Sequence, residues 1–256
     1  MKKALIGYTG FVGGNIYKKL KFDDLYNSKN IEEIQGKKYD LVISAGVSAV
    51  KWWANQNEHE DWEKINVLLQ YLLKAKINYI IWISTIDVFP QPIEANENTI
   101  IEKTKLESYG KNRLLAEEFI RSHFSNYSII RLPGLFGEGL KKNFIFDIIH
   151  NQYNSFVHPE SIFQFYNLNN IKFDLNVIME NKIPIINITS EPISVQEIAS
   201  YVLKRKIAGN FNLKPVFYNM KTKYAHLFNK KGPYLYLKNQ ILKDIKEFIH
   251  KEKSKL

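Results

Sequence analysis

Residues 3–17 read KALIGYTGFVGGNIY. Four residues suited to a buried strand run straight into glycines at 7, 10 and 13, and a helical pattern opens behind them. A chain that leaves a strand, turns sharply and enters a helix needs residues without a Cβ if its backbone is to approach an anion. The first-turn N–H groups then face that anion, and the helix dipole adds to the attraction. Glycine spacing alone says little. Between a strand and a helix it predicts a pyrophosphate turn made by Gly7, Thr9, Gly10, Phe11, Val12 and Gly13. The competing reading is a tight turn whose glycines only ease contact between helix and strand.

Beyond the turn, strand and helix patterns alternate. Residues 40–45 (DLVISA), 79–84 (YIIWIS) and 127–132 (YSIIRL) are short apolar runs of the kind buried on both faces of a sheet. Between them lie helical patterns over 58–75, with Trp62, Ile65, Leu69 and Leu72 on one stripe, and over 108–123. The alternation predicts an α/β fold, a Rossmann-type doubly wound parallel sheet with a small C-terminal substrate lobe. Residues 1–155 are expected to form the dinucleotide-binding domain and 156–256 the lobe, with 183–205 returning to the sheet. Helices are expected over 143–150, 195–203 and 237–250, and a strand over 183–188.

The 256 residues, 45% of them hydrophobic, suffice for a full core. No apolar run is long enough to span a bilayer, so no membrane partner is expected. The start MKKALI is basic and then apolar, but it breaks into glycines and reads as a strand rather than a signal peptide. Cysteine is absent, which removes disulfides, thiolate catalysis and cysteine metal sites. The histidines show no ligand spacing, so no metal is expected, and the simplest compartment is the cytoplasm. The net charge of +10 suits a phosphorylated partner. The lysines are scattered and not interleaved with aromatics, which favours a small ligand over nucleic acid.

Which dinucleotide turns on the end of the second strand, expected over 22–26. An acid there would hold the adenine-ribose diol. Asp23 and Asp24 come too early, and Asn27, Ser28 and Lys29 follow the strand. A serine and a lysine suit a 2′-phosphate, so NADP is expected, with NAD as the alternative. The simpler reading is that Asn27 and Ser28 cap the next helix.

The glycine turn, ISTIDVF (83–89), YGKNRLLAEE (109–118) and RLPGLFGEG (131–139), in that order, resemble the extended short-chain dehydrogenase/reductase family. That family contains NAD(P)-dependent nucleotide-sugar epimerases, dehydratases and reductases. The nearest pattern is that of the 4-keto reductases such as dTDP-4-dehydrorhamnose reductase. Weaker echoes are Ala45-Gly46 after the third strand, Asn66, and NITSEPISVQEIA (187–199). The resemblance implies that Thr85 orients the substrate and Tyr109 is the general acid/base. Arg113 stands where the family has a lysine that binds nicotinamide ribose and lowers the tyrosine pKa. Ala45 and Gly46 join the cofactor site by the same implication. A charge ~5 Å from the phenol, at an effective dielectric of ~20, would be worth ~3 kcal/mol, or roughly two pK units. Arginine supplies that charge at i+4 with a bulkier, planar donor set. The expected function is oxidoreductase or epimerase chemistry at the 4-keto or 4-hydroxyl carbon of a nucleotide-linked sugar, in surface polysaccharide synthesis. The alternative, raised by Arg113, is a non-catalytic sensor or scaffold that binds dinucleotide.

On the substrate side, Lys142 and Asn143 could meet a diphosphate at the start of the next helix. Gln164, Asn167 and Asn169 stand where relatives often carry charges. Pairing of two copies through the helices at 58 and 108 is implied by the resemblance alone.

Overall fold

The computed structural model describes residues 1–255. In chain order the first elements are β1 (Lys3–Ile6), α1 (Phe11–Tyr17), β2 (Asp24–Tyr26), β3 (Lys38–Tyr39), β4 (Leu41–Ser44), α2 (Lys51–Gln56), α3 (Glu58–Leu73), β5 (Lys76–Ile77), β6 (Ile80–Thr85), α4 (Ser108–His123) and β7 (Tyr127–Leu132). There follow β8 (Gly134–Phe136), α5 (Phe144–Ile149), α6 (Tyr153–Phe156), β9 (Ile162–Phe163), β10 (Phe165–Asn167), α7 (Ile171–Glu180), β11 (Ile185–Asn187), β12 (Ile193–Ser194), α8 (Val195–Leu203) and α9 (Lys238–Lys253).

The chain divides into two compact units, each made of separate segments. The first takes residues 1–91, 99–131 and 170–186. Its centre is a six-stranded sheet in the order β11-β7-β6-β4-β1-β2. β1 pairs in parallel with both β2 and β4, and β4 with β6. This is the doubly wound Rossmann-type sheet expected from the alternating pattern. Strand order reverses between β1 and β4, so that the carboxyl ends of these two strands flank a switch point where such sheets take ligands.

The core explains the continuous apolar runs. Ala4, Val42, Ile80, Trp82 and Ile129 of the sheet pack with Ile65, Leu69 and Leu72 of α3 and with Ala116 and Ile120 of α4. One expected position differs. The buried face of α3 is Asp61, Ile65, Leu68, Leu69 and Leu72, whereas Trp62 is only partly buried. An aspartate takes the place that a purely apolar stripe assigns to the tryptophan. The helix α2 was not apparent from sequence, being too short to show a period. The second strand is shorter than expected, beginning at Asp24, because Asp23 already closes a backbone bond and a carboxylate bond with Lys3.

The second unit takes residues 92–98, 132–169 and 187 onward. In it β8 pairs in parallel with β10, and β9 pairs antiparallel with β12. α9 packs on α5 and α8. Ser194 and Glu197 close a capping box at the start of α8. Glu97 accepts from the Asn187 and Lys223 N–H groups and from the Thr222 hydroxyl, which fastens segment 92–98 to the rest of this unit.

Candidate active site

The glycine turn leaves β1 at Gly7, with φ +83°, a conformation natural to glycine. A Cβ on Gly7 would stand 2.4 Å from the Ala45 carbonyl oxygen, and one on Gly13 would stand 2.1 Å from that of Gly7. These two glycines are therefore required by the protein's own backbone: Gly7 lets β1 pass the Ala45–Gly46 step after β4, and Gly13 lets α1 seat on the turn. Gly10 is different. It caps α1 at φ −81° and ψ 172°, open to any residue, and its nearest obstacle is the Gly7 oxygen at 3.2 Å. Thr9 and Gly10 are exposed, and Phe11 and Val12 half-buried. Gly10 leaves bare the space that a side chain would fill, as a backbone-lined turn that took a pyrophosphate would need.

At the end of β2 the Asn27 amide donates to the Tyr8 hydroxyl at 3.2 Å, and its Oδ1 accepts from the Lys29 N–H at 2.8 Å. Ser28 and Lys29 are exposed. Asn27 thus ties the strand end to the glycine turn. The expected next helix is a 3₁₀ turn over Ile31–Ile34 with no side-chain cap. Asp24 points elsewhere: its carboxylate takes the Tyr39 hydroxyl at 2.5 Å and the Lys2 ammonium at 3.0 Å, and these partners hold its pKa down.

The second cluster gathers at the amino end of α4. Thr85 closes β6 and accepts from the Asp87 N–H at 3.1 Å. Its hydroxyl also acts on the phenol of Tyr109, which is 7% exposed, and favours the ionised form of that phenol. α4 starts where it does because Asn55 of α2 accepts the Tyr109 N–H at 2.8 Å, a cap supplied from 54 residues away. Glu58 at the start of α3 holds the Ser108 hydroxyl at 2.8 Å and the Lys111 ammonium at 2.6 Å. Lys111 itself is exposed. Asn66, an echo of the family's helix asparagine, bonds to Gln70 on α3.

Arg113 lies one turn beyond Tyr109, as its spacing requires, with its guanidinium 3.9 Å from the centre of the phenol ring. It is 3% exposed and faces Asp61, itself 2% exposed. Nη1 donates to Asp61 Oδ2 and to the Tyr109 carbonyl at 3.2 Å. Nη2 donates to Asp61 Oδ1 at 3.0 Å and to the Ser48 carbonyl at 2.6 Å. The four terminal N–H groups are committed, and Nε is buried without a partner. The expectation of a phenol lowered by this charge is corrected. The arginine does pull Tyr109 down, but burial outweighs it, Asp87 and Asp61 push the same way as burial, and the net displacement is upward.

Asp61 and Asp87 were not singled out from the sequence. Asp87 carries the Lys51 ammonium at 3.2 Å, and Lys51 also lies 3.9 Å from Glu107. Nothing local in DWEKIN marks Asp61 as buried. Its presence in an otherwise apolar stripe opposite the arginine helix was the one available signal. A third buried set, Glu117 with Arg131 at 2.6 Å and Ser84 at 2.5 Å, ties α4 to β7 and β6.

In the second unit, Asn143 has φ +121° and spends its side chain on its own helix. Its Oδ1 accepts from the Ile145 and Phe146 N–H groups, and its amide donates to the Leu135 carbonyl at 2.7 Å. The strain and the cap explain each other, and the first-turn donors expected for a diphosphate are partly used internally. Lys142 beside it is exposed. Gln164 is buried and bonded to the Ser190 and Met220 backbones, and Asn167 bonds to Asp244. Among the described residues no group of three or more His, Asp or Glu side chains is arranged to hold a metal ion. Among the same residues no helix is long and apolar enough to cross a membrane.

A sequence profile described as the NAD dependent epimerase/dehydratase family matches residues 21–170, more than half the chain. The match begins just past the glycine turn and includes Thr85, Tyr109 and Arg113. No curated protein matches the sequence. Solved structures match the fold over nearly the whole chain. A dTDP-4-dehydrorhamnose reductase from Clostridium acetobutylicum superposes with a TM-score of 0.73 at 17% identity, covering 98% of this chain and 99% of that one. A dTDP-4-dehydrorhamnose reductase from Bacillus anthracis, in complex with NADP, gives 0.75 at 15% identity, with 98% and 99% covered. A UDP-glucuronic acid 4-epimerase from Bacillus cereus, in complex with NAD and a fluorinated UDP-sugar, gives 0.76 at 15% identity, with both chains fully covered.

Proposed function

The chain belongs to the NAD dependent epimerase/dehydratase family, and from that premise we propose that it is an NAD(P)-dependent oxidoreductase or epimerase acting on a nucleotide-linked sugar. The observation that carries the reading is that the Thr85 hydroxyl, at the carboxyl end of β6, and the buried Tyr109 phenol share one site, close enough for the hydroxyl to favour the ionised phenol. A substrate oxygen placed against both would be oriented by one and exchange its proton with the other. The dinucleotide, when bound, supplies or accepts the hydride. Gly7, Gly10 and Gly13, with Thr9, Phe11 and Val12, would hold its pyrophosphate, and Ala45 and Gly46 border the same turn. NADP is favoured over NAD because Asn27, Ser28 and Lys29 offer a cation and amide and hydroxyl groups where a carboxylate would hold an unphosphorylated ribose. The 4-keto or 4-hydroxyl carbon is favoured by the kinds of relative that share the fold. Lys142 remains the candidate for a substrate phosphate.

A second reading has its own observation. Arg113 spends its terminal donors on Asp61 and on backbone carbonyls, leaving little with which to replace the family lysine. On that ground the chain would bind dinucleotide as a sensor or scaffold without turnover. The two readings separate on one experiment: NADPH and NADH binding by fluorescence titration, followed by coenzyme oxidation with a panel of dTDP- and UDP-linked 4-keto sugars and by interconversion of 4-epimers with a panel of UDP-sugars. Binding with either reaction supports the enzyme. Binding with neither reaction across both panels supports the sensor. No binding of either coenzyme removes both.

A further inference from the structure

The family reading leaves open whether Tyr109 gives a proton or takes one, and the charges packed around it bear on that choice. On its own helix the phenol faces Arg113 across the ring, and α3 contributes Asp61. The turn after β6 contributes Asp87 and the Thr85 hydroxyl, and α2 contributes Lys51, which lies on Asp87 and within 3.9 Å of Glu107. That is two cations against three carboxylates. Arg113 and Asp61 are both buried and joined by two parallel bonds, a geometry in which each charge partly offsets the other toward third parties. The guanidinium also stacks on the ring face, and its terminal N–H groups point to other acceptors instead of the phenol oxygen. An arginine cannot release a proton, so it cannot exchange one with the tyrosine as a lysine can.

We propose that Asp61 is a built-in counter-charge for Arg113, so that Tyr109 is kept as a protonated phenol and the site works in the direction of carbonyl reduction. Asp61 is then a positioning residue, acting on the tyrosine through the arginine. The inference rests on Tyr109 being the general acid/base of the proposed reaction. In that direction a reduced dinucleotide held at the glycine turn would supply hydride to the carbonyl carbon and be oxidised. The C=O π pair moves onto oxygen, and that oxygen takes the Tyr109 proton as the O–H bond of the phenol breaks. The phenolate is refilled from solvent. Burial of the ring favours the same protonated form. Proton abstraction from a sugar hydroxyl, the opening step of an epimerisation, would need the phenolate that this arrangement disfavours.

The test reads the phenol directly and needs neither coenzyme nor substrate. Tyrosines are labelled with carbon-13 at the ring carbon bearing the hydroxyl. The Tyr109 signal is assigned by its loss in Tyr109→Phe, and its titration is followed by NMR in the full chain. The wild-type signal should titrate at higher pH than exposed tyrosines. In Asp61→Asn the unmasked arginine should move the midpoint to lower pH by about one unit or more. The double variant Asp61→Asn/Arg113→Gln, which removes both charges, should move it back up, to the wild-type position or slightly above. It also keeps the test decisive if Asp61→Asn alone does not fold. An unchanged midpoint in Asp61→Asn, a wild-type phenol ionised at neutral pH, or a double variant displaced far upward would each overturn the proposal. The last would mean that Arg113 had been acting unmasked. A chain that passes this test yet binds neither NADPH nor NADH would remove the functional reading and leave the counter-charge standing.

Discussion

The glycine turn and the amino end of α4 bring together groups of opposite origin. The turn is made by residues within one stretch of seven, and two of its positions must be glycine because an added Cβ would stand 2.1 or 2.4 Å from a backbone oxygen. The α4 cluster draws on α2, α3, the segment before α2 and the turn after β6, with partners as far as 65 residues away in sequence. A cradle can be written locally because a backbone shape is local. A charged site cannot, because the charge that a residue exerts depends on what is folded against it.

That contrast can be broken most forcefully at Tyr109. Tyr109→Phe should keep coenzyme affinity and the fold while turnover of a 4-keto sugar nucleotide falls roughly 10²–10⁴-fold, the usual worth of a general acid. Loss of coenzyme affinity as well would mean that the two regions are not separable. Next in size is Arg113→Met, which strands the buried Asp61 carboxylate. Removing one partner of such a pair costs about 3–5 kcal/mol, readable as a lowered urea midpoint at unchanged slope. A loss under about 1 kcal/mol would show that the pair is not shielded as the structure has it.

The turn itself separates into glycines needed by the fold and one left open for a ligand. Gly13→Ala should destabilise by about 1–3 kcal/mol, since a backbone oxygen must shift. Gly10→Val should lower stability by only about 1 kcal/mol, its Cβ meeting the Gly7 oxygen at 3.2 Å, and weaken NADPH binding at least tenfold. If NADPH binding is unchanged, the open edge of the turn is not where the pyrophosphate lies. The smallest effect is expected at Asn55→Ala, which removes the remote cap of α4. It should cost about 1 kcal/mol, within the range for capping residues.

The parallel sheet, its order of strands and helices, and the glycine turn were legible because each leaves a periodic or compositional trace in consecutive residues. Helix α4 was read to its observed ends, 108 and 123. The pairing of Thr85 with Tyr109 was expected only through the resemblance, since nothing in the 23 intervening residues encodes it. The fate of Arg113 was not readable at all. Its spacing from Tyr109 set the ring contact correctly, but the sign of the net effect on the phenol depends on Asp61, Asp87 and burial, none of which follows from position along α4. Asn143 shows the same limit in the second unit, where a candidate phosphate ligand turns out to cap its own helix.

The most direct test of the account is coenzyme consumption by the wild-type chain and Tyr109→Phe side by side, with NADPH and a dTDP-linked 4-keto sugar, after binding of NADPH to both has been measured. The account predicts comparable binding, oxidation of NADPH by the wild type, and its near loss in the variant. Equal oxidation by the two proteins, or a wild-type chain that binds no coenzyme, would contradict it.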